Sequence, residues 1–326
     1  MIPSVAHFIW FGTQLPWVHT LALRSAALHG GFDRLVLHHG DDLSRTPAWP
    51  QLLAIPGFEA RAIDDAALDR LFASVGQGGE RLLGIYRQLS APAARANVLR
   101  AAILAVEGGV YLDLDTITVR SLAPLRRAHG AFCGEEHLVY PASVRRSKGL
   151  AIRVAGLARA GTRDLLRRLP GGWRSFRALE PVYPSAANNA VLGAEPGHPF
   201  IRRLLDGMIT VPEARRLVRF ALGTHLLQDV VAHAREHDLA VLPPRVFYPL
   251  GPEISEHWFR VRRELPALGQ VAGRDTIVVH WYASVRTRSI VPRIDASYVR
   301  AHAKRQLFSA LALPVVEGRE RSALGK

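Results

Sequence analysis

Short apolar runs typical of strands alternate with amphipathic stretches typical of helices through the first half of the chain. Short apolar runs predict strands at Val5–Gly12, Arg34–Gly40 and Phe58–Asp64, with helical patterns between them at residues 18–29 and Asp65–Val75. A longer helix is predicted over Pro92–Glu107, because proline stands near its start and two glycines follow its end. This succession predicts an α/β fold with a mostly parallel central sheet.

The second half of the chain is less regular. Apolar runs predict strands near GAFCGEE (130–136), LAIRVAG (150–156), LAVLPPRVFYPL (239–250) and TIVVHWYA (276–283), and helices around His198–Met208 and Thr224–Glu236. No internal repeat or low-complexity linker divides the chain, so we expect one domain over 1–314. Residues 315–326 are predicted to form a mobile tail.

The stretch GGVYLDLDT (108–116) carries the main candidate chemistry. In a strand, Tyr111, Asp113 and Asp115 share one face and the intervening apolar residues share the other. Two carboxylates on one face suit a hard cation such as Mg²⁺ or Mn²⁺. Asn97 and Arg100, three residues apart on the preceding helix, are expected near them at the carboxyl edge of the sheet. A solvent-facing edge strand with two unrelated aspartates remains the alternative.

Composition narrows the class of protein. The chain has 326 residues, 48% of them hydrophobic, which is enough for a sizeable core. Cys133 is its one cysteine, so no disulfide can form within the chain. The start of the chain lacks the pattern of a signal peptide, and no apolar run reaches the length of a membrane span. We therefore expect a cytoplasmic protein.

The formal net charge is +14, and arginine supplies most of the positive charge. Arginine pairs occur at 145–146, 167–168, 202–203, 215–216 and 262–263. Such a surface suits phosphorylated substrates or anionic lipid headgroups, which predicts a peripheral place at the inner face of a membrane as one option. A genome that favours arginine explains the same composition. No zinc-finger, RNA-recognition or basic-zipper pattern is present, so nucleic acid is not an expected partner.

The segment ANVLRAAILAVEGGVYLDLDT (96–116) resembles the signature of the glycosyltransferases with a DXD sugar-binding region, namely family 32 and the large glucosylating toxins. The spacing from Arg100 to Asp113 agrees with that signature, and IPSVAHFIWFG resembles the family's first strand. NNAVLGAEPGHPF and VVHWYAS fit more loosely. The resemblance implies a GT-A type fold, with a nucleotide-sugar-binding half at 1–120 and an acceptor and lid half at 121–314.

The resemblance also implies roles for individual residues. Asp115, Asp113 and His280 would hold a divalent cation, Mn²⁺ or Mg²⁺. The donor contacts would come from Trp10 stacking on the base, Asn97, Arg100, Tyr111, Asp113 and Ser284 on a closing loop. Asn189 would approach the transferred sugar, and His280 has the further option of holding the diphosphate. The residues implied in catalysis are therefore Asp113, Asp115, Arg100 and Asn189.

Three positions depart from the family pattern. Asn97 stands where aspartate is usual, so its hydrogen bond to a donor would be neutral. Gly223-Thr224 replaces a frequent Gly-Pro, and Val285 replaces a frequent tryptophan. Purely structural interpretations stay open for the outer residues: Trp10, Tyr111 and His280 as core residues, and Asn189 as a turn or helix-cap residue.

The implied function is transfer of a sugar from a nucleotide-diphosphate sugar, with UDP favoured, to an acceptor hydroxyl with retention. The acceptor would be a glycan, a lipid-linked molecule or a protein in glycoconjugate synthesis. A phosphohydrolase of the haloacid dehalogenase type is an alternative, although Thr116 stands one place early for that motif and Ile117 occupies the threonine position. A non-catalytic binder of anionic polymers is a second alternative.

Overall fold

The computed structural model describes residues 1–141, 144, 147–218, 220–234, 239–285 and 287–318. The strands are β1 Val5–Trp10, β2 Arg34–His39, β3 Phe58–Ala62, β4 Gly109–Leu112, β5 Thr116–Thr118, β6 Ala131–His137, β7 Ser185–Ala194, β8 Ala240–Leu242 and β9 Val278–His280. Seven of them form one sheet in the order β3-β2-β1-β4-β7-β6-β8, and β5 pairs with β9 in a separate ribbon.

Helices cover both faces of the sheet. Their bounds are α1 Thr20–His29, α2 Trp49–Leu53, α3 Asp65–Val75, α4 Gly79–Gln88, α5 Pro92–Val106, α6 Ala123–Ala128, α7 Leu150–Arg168, α8 Gly172–Ala178, α9 Pro199–Thr210, α10 Glu213–Arg216, α11 Leu226–Ala232, α12 Pro244–Phe247, α13 Leu268–Val271, α14 Ala296–His302 and α15 Leu307–Glu317. Among the described residues, no helix is both long enough and apolar enough to cross a membrane.

The sheet is mostly parallel, as predicted. β1 pairs in parallel with β2 and β4, β2 with β3, and β6 with β8, whereas β7 runs antiparallel to both β4 and β6. The predicted α/β fold with a mostly parallel central sheet and additional C-terminal strands and helices is confirmed. Strands from both predicted halves share one sheet, since β6, β7 and β8 extend the edge begun by β1 to β4.

Glycine fixes the junction between α5 and β4. Gly108 and Gly109 have φ angles of 65° and 95°, a region that favours glycine. A Cβ on Gly108 would also lie 2.9 Å from the carbonyl oxygen of Ala194 and 2.8 Å from the nitrogen of Pro196. The sharp turn between the predicted helix and the acidic segment therefore requires glycine at this point.

Three expectations about secondary structure are wrong. LAIRVAG (150–156) begins the helix α7 rather than forming a strand. In 239–250 only Ala240–Leu242 is extended, because the two prolines that follow cannot continue a hydrogen-bonded ladder and α12 begins there. The last helix continues to Glu317 with Val315 and Val316 buried, so the predicted tail does not begin at 315.

Some predicted features lie outside the described residues. They are the arginine pair 145–146, the C-terminal end of the predicted helix Thr224–Glu236 and the tail residues 319–326. Within the described part of that predicted helix, a π-helical turn over Ala221–His225 precedes α11.

Two histidines form a buried pair beneath the turn between α5 and β4. His7 Nε2 lies 3.1 Å from the carbonyl oxygen of Gly108, and His7 Nδ1 lies 3.1 Å from His38 Nε2. Because a carbonyl oxygen can only accept, His7 donates through Nε2 and accepts from His38 through Nδ1. Burial lowers the pKa of His7 to about 4, and burial together with His7 lowers the pKa of His38 as well. Both imidazoles are therefore neutral in the folded chain at pH 7.

We expect this pair to make the fold sensitive to mild acid. Between pH 6.5 and 4 the unfolded chain protonates His7 while the folded chain does not, so the free energy of unfolding falls as the pH falls through that window. The loss from His7 alone should reach roughly 2 kcal/mol by pH 5. Chemical denaturation at pH 7.5 and 5 measures it. The His7→Asn variant should lose less stability over this interval, and His233→Asn, at an exposed site, should behave like the unmodified chain. Equal losses in all three proteins would contradict the prediction.

Candidate active site

The two aspartates lie just beyond the end of β4 rather than within it. The strand stops at Leu112, where it pairs with Val191, and the N–H of Asp113 makes a last hydrogen bond of 2.8 Å to the carbonyl oxygen of Ala190. The chain then turns through Asp113–Asp115 into β5. The predicted acidic strand is therefore an acidic turn, although both carboxylates still face one site at the carboxyl edge of the sheet.

Arg100 and Tyr111 hold the first aspartate in place. The Tyr111 hydroxyl donates to Asp113 Oδ1 over 2.7 Å, and an Arg100 guanidinium nitrogen lies 3.3 Å from the same oxygen. That nitrogen also donates to the carbonyl oxygen of Asn189 at 2.5 Å, and the guanidinium stacks on the Tyr111 ring at 4.1 Å. Burial raises the pKa of Tyr111 well above its ordinary value, so its hydroxyl remains a donor.

Both supporting side chains are almost fully covered. Arg100 is 6% exposed and Tyr111 is 2% exposed. The structure therefore places them beneath Asp113, whereas the family resemblance implied direct contacts with the donor. Arg100 and Tyr111 can therefore influence a bound ligand only indirectly, by fixing the position of the Asp113 carboxylate.

The second aspartate is held from the opposite end of the chain. β5 pairs antiparallel with β9, with Thr116 opposite His280, and this pairing brings His280 Nε2 to 2.9 Å from Asp115 Oδ1. The N–H of Ala283 donates to Asp115 Oδ2 over 2.8 Å. Although burial opposes both changes, the ion pair raises the pKa of His280 above its ordinary value and lowers that of Asp115. The geometry thus favours an imidazolium beside a carboxylate.

Asp113, Asp115 and His280 form a candidate metal centre. Each offers one ligand atom, and these atoms all lie within 4.8 Å of one another. His280 Nδ1 is buried and has no hydrogen-bond partner among the described residues, so a shift of this ring would break no bond made there by that nitrogen. Carboxylate oxygens suit Mg²⁺ and Mn²⁺, and the imidazole favours the softer of the two ions. The residues therefore fit a divalent cation, provided that it displaces the His280 proton.

Two asparagines close the side of the site next to α5. Asn189 Nδ2 donates to Asn97 Oδ1 over 2.8 Å, and both side chains are half-buried. Gly223 packs against them, since a Cβ there would lie 2.6 Å from Asn97 Nδ2. The Gly-Thr that replaces the family's frequent Gly-Pro therefore borders the residue that replaces the usual aspartate. The predicted residues Asn97 and Asn189 lie together with Arg100.

Trp10 and Ser284 lie at the margins of the same region. Trp10 ends β1, is half-buried, and packs 5.1 Å from His19, which in turn stacks on Trp281 at 5.6 Å. His19 Nδ1 lies 3.1 Å from the carbonyl oxygen of Leu114, so this aromatic group contacts the acidic turn. Ser284 is exposed in the turn that follows the Ala283 contact to Asp115.

A comparison with known protein families covers the acidic turn. Residues 58–131 match the family described as "Glycosyltransferase sugar-binding region containing DXD motif", and Asp113 and Asp115 lie within the match. This segment identifies the chain as a glycosyltransferase. No curated protein matches the chain at a significant level.

The solved structures that align with this glycosyltransferase share little sequence identity with it. They include a structure titled PaToxG glycosyltransferase (14% identity, 71% of this chain and 69% of that chain, TM-score 0.39). Mouse xyloside xylosyltransferase 1 in its apo form aligns at 14% identity over 84% of this chain and 96% of that chain, with a TM-score of 0.43. The UDP-bound glycosyltransferase domain of the YGT toxin aligns at 11% identity over 94% and 80%, with a TM-score of 0.36.

A second network beside the candidate metal centre of this glycosyltransferase has no specific signal in the sequence. The Tyr282 hydroxyl donates to Glu136 Oε2 over 2.6 Å, and the Thr287 hydroxyl donates to the carbonyl oxygen of Tyr282 over 2.8 Å. Tyr282 has a φ of 58°, which is rare for a residue other than glycine. The network holds this strained residue, and the strain directs the next N–H, that of Ala283, towards Asp115. In the sequence, this segment (HWYAS, 280–284) stands out only because it resembles the corresponding segment of the DXD glycosyltransferases.

The phosphohydrolase alternative is not supported for this glycosyltransferase. That chemistry requires a carboxylate free to attack phosphorus. Here Asp113 Oδ1 is shared between Arg100 and Tyr111, and both oxygens of Asp115 accept hydrogen bonds from His280 and Ala283. Both oxygens of Asp115 and one oxygen of Asp113 are thus engaged as acceptors.

Proposed function

We propose that this glycosyltransferase moves a sugar from a nucleoside diphosphate sugar to an acceptor hydroxyl, with a divalent cation at Asp113, Asp115 and His280. UDP-sugars are the first donors to test. The observation that carries the proposal is the convergence of these three side chains within 4.8 Å, two of them inside the sugar-binding segment. Residues 1–120 would form the donor half, and the acceptor and lid half would run from 121 to Glu317.

The residues of the site then divide into three tasks. Asp115, Asp113 and His280 hold the cation, which when bound supplies positive charge to the departing diphosphate. Arg100 and Tyr111 keep the Asp113 carboxylate in one orientation through the contacts described above. The remaining side chains face the donor: Trp10 offers a flat surface for the base, Asn97 and Asn189 offer amide groups to the sugar, and Ser284 lies on the segment that closes over it.

We further propose retention of configuration at the anomeric carbon. A bond forms from the acceptor oxygen to the anomeric carbon as the bond to the diphosphate oxygen breaks. The departing oxygen keeps the electron pair and takes the acceptor's proton. Within the described part of the chain, Asp113 and Asp115 are assigned to the cation and Glu136 is buried against the Tyr282 hydroxyl, which favours attack on the same face over a covalent intermediate. NMR of the product should show the donor's anomeric configuration, and an inverted product would contradict this step.

A thermal-shift panel tests the proposed function. Nucleotide sugars differing in base and sugar should be added with Mn²⁺, with Mg²⁺ and with chelator, because a ligand that binds the folded state raises the melting temperature. We expect at least one donor to raise it only when the cation is present, and His280→Ala to remove that increase. A panel without any cation-dependent shift would contradict the proposal. Tight metal-independent binding to polyanions that salt abolishes would support the polymer binder instead.

A further inference from the structure

Helix α7 presents an apolar stripe to solvent. Leu150, Val154, Leu157 and Leu165 recur at helical spacing and are 75%, 55%, 57% and 60% exposed. On the opposite side of the helix Gly156 and Leu166 are buried, whereas Ile152, near the N-terminal end, is 53% exposed. Single exposed leucines are ordinary on protein surfaces, but four large apolar side chains along one helix face, with Gly161 between Leu157 and Leu165, are not. The stripe extends for about 22 Å along the helix axis.

The stripe continues beyond the end of the helix. Leu169 is 45% exposed, and Val261 is 52% exposed beside Arg260, which donates to the carbonyl oxygen of Arg168 over 2.7 Å. α7 and α8 occupy the connection between β6 and β7, so the patch belongs to an insertion in the sheet rather than to the core layers. Apolar residues thus form one exposed surface along α7 and just past its C-terminal end.

Basic side chains border this surface. Arg153 and Arg168 are exposed on α7, and no ion pair among the described residues includes either of them. The one acidic residue on the helix, Asp164, is held by Arg163 at 2.8 Å and Arg167 at 3.3 Å. The border therefore carries uncompensated positive charge, in agreement with the net charge of the chain.

Charge complementarity selects the partner. A second copy packed on this face would place arginines opposite arginines whether the two helices ran parallel or antiparallel. An apolar stripe bordered by arginines, in contrast, matches a helix that lies in the plane of a bilayer, with its leucines among the acyl chains and its cations at acidic headgroups. Each arginine near an anionic membrane surface strengthens binding about fivefold.

We propose that α7 docks this protein on an anionic lipid surface, through the leucine stripe and the bordering arginines. This inference does not depend on the proposed donor or on the metal centre. Neither the stripe nor the arginines form part of the site described above, so docking and catalysis can be tested separately.

Co-sedimentation with vesicles tests the proposal. Binding should occur to vesicles of equimolar phosphatidylcholine and phosphatidylglycerol, be weak on pure phosphatidylcholine, and decrease with salt. Leu157→Asp should reduce the vesicle partition coefficient about tenfold or more, and so should the double variant Arg153→Glu, Arg168→Glu. The matched controls are Leu53→Asp, with 59% exposure on α2, and the double variant Arg70→Glu, Arg81→Glu on α3 and α4. Both controls should bind as the unmodified chain does.

Other results would overturn the proposal. They include no binding to the anionic vesicles, equal binding to neutral vesicles, or equal losses in the α7 variants and their controls. Light scattering that shows a dimer dissolved by Leu157→Asp would assign the face to a second copy instead. Since all six positions are exposed, unchanged melting temperatures should accompany every variant, which separates a docking defect from misfolding.

Discussion

Replacing Asp115 by asparagine is expected to reduce glycosyl transfer by about a thousandfold, because losing a ligand charge at a metal centre costs several kcal/mol of transition-state stabilisation. Asp115 contacts His280 on β9 and the Ala283 N–H at once, so the neutral amide weakens the cation site and the closing segment together. Asparagine has the same size as aspartate and leaves no cavity. The fold should therefore survive, while the cation-dependent rise in melting temperature disappears.

The design includes a control for the loss of charge alone. Asp206→Asn removes a carboxylate from an exposed position on α9 and should leave both transfer and the cation response unchanged. Steady-state rates of transfer from the donor identified in the thermal-shift panel provide the measurement. If Asp115→Asn retained more than about a tenth of the activity, the side chain would not be acting as a metal ligand.

Replacing Arg100 should separate support of the site from stability of the fold. Arg100→Ala leaves the Asn189 carbonyl oxygen without its hydrogen-bond donor. It also removes the guanidinium charge beside Asp113 and leaves a cavity over the Tyr111 ring. We expect the free energy of unfolding to fall by about 2–4 kcal/mol, somewhat below the usual cost of breaking a buried pair because Asp113 is partly exposed. Arg100→Lys keeps the charge but loses the planar fork. It should fold and lose transfer about 10- to 100-fold.

Arg95 provides the matched comparison on the same helix. Its guanidinium lies over Phe11 and Tyr86 at 4.8 and 4.7 Å and donates to the Tyr86 hydroxyl, but it does not contact either aspartate. Arg95→Ala should lower stability by about 1 kcal/mol and leave the cation response intact. Urea denaturation and the manganese dependence of transfer distinguish the two positions. Equal effects of Arg95→Ala and Arg100→Ala on the manganese dependence would contradict the role assigned to Arg100.

The parts of the fold that are encoded locally were predictable. α3 was predicted to the residue, and α5 was predicted to within one residue of its end, because a periodic apolar face, a proline and the double glycine all indicated the same limits. The segment LAIRVAG misled because Leu150, Ile152 and Val154 alternate as in a strand. The helical stripe becomes visible only when the pattern is followed as far as Leu165.

The sequence predicted which residues lie together in the candidate site, but not which of them are buried beneath the others. The residues that the family signature implied lie together at the carboxyl edge of the sheet. They are Asp113, Asp115, His280, Arg100, Asn97 and Asn189. The burial of Arg100 and Tyr111 beneath Asp113 depends on β7, which enters the sheet antiparallel beside β4 and brings the Asn189 carbonyl to the guanidinium. Such a long-range pairing has no local signal. The Glu136–Tyr282 contact joins residues 146 positions apart for the same reason.

The pairing of β5 with β9 also determines when, during synthesis of the chain, the three candidate metal ligands can come together. Its histidine lies 165 residues after Asp115, so the acidic turn leaves the ribosome long before its partner is synthesised. Closing so long a loop becomes favourable only once the intervening strands have assembled. A nascent or truncated chain that ends before Val278 carries both carboxylates but no imidazole. Metal uptake would therefore come as a late event in biosynthesis, and incomplete chains would remain inactive.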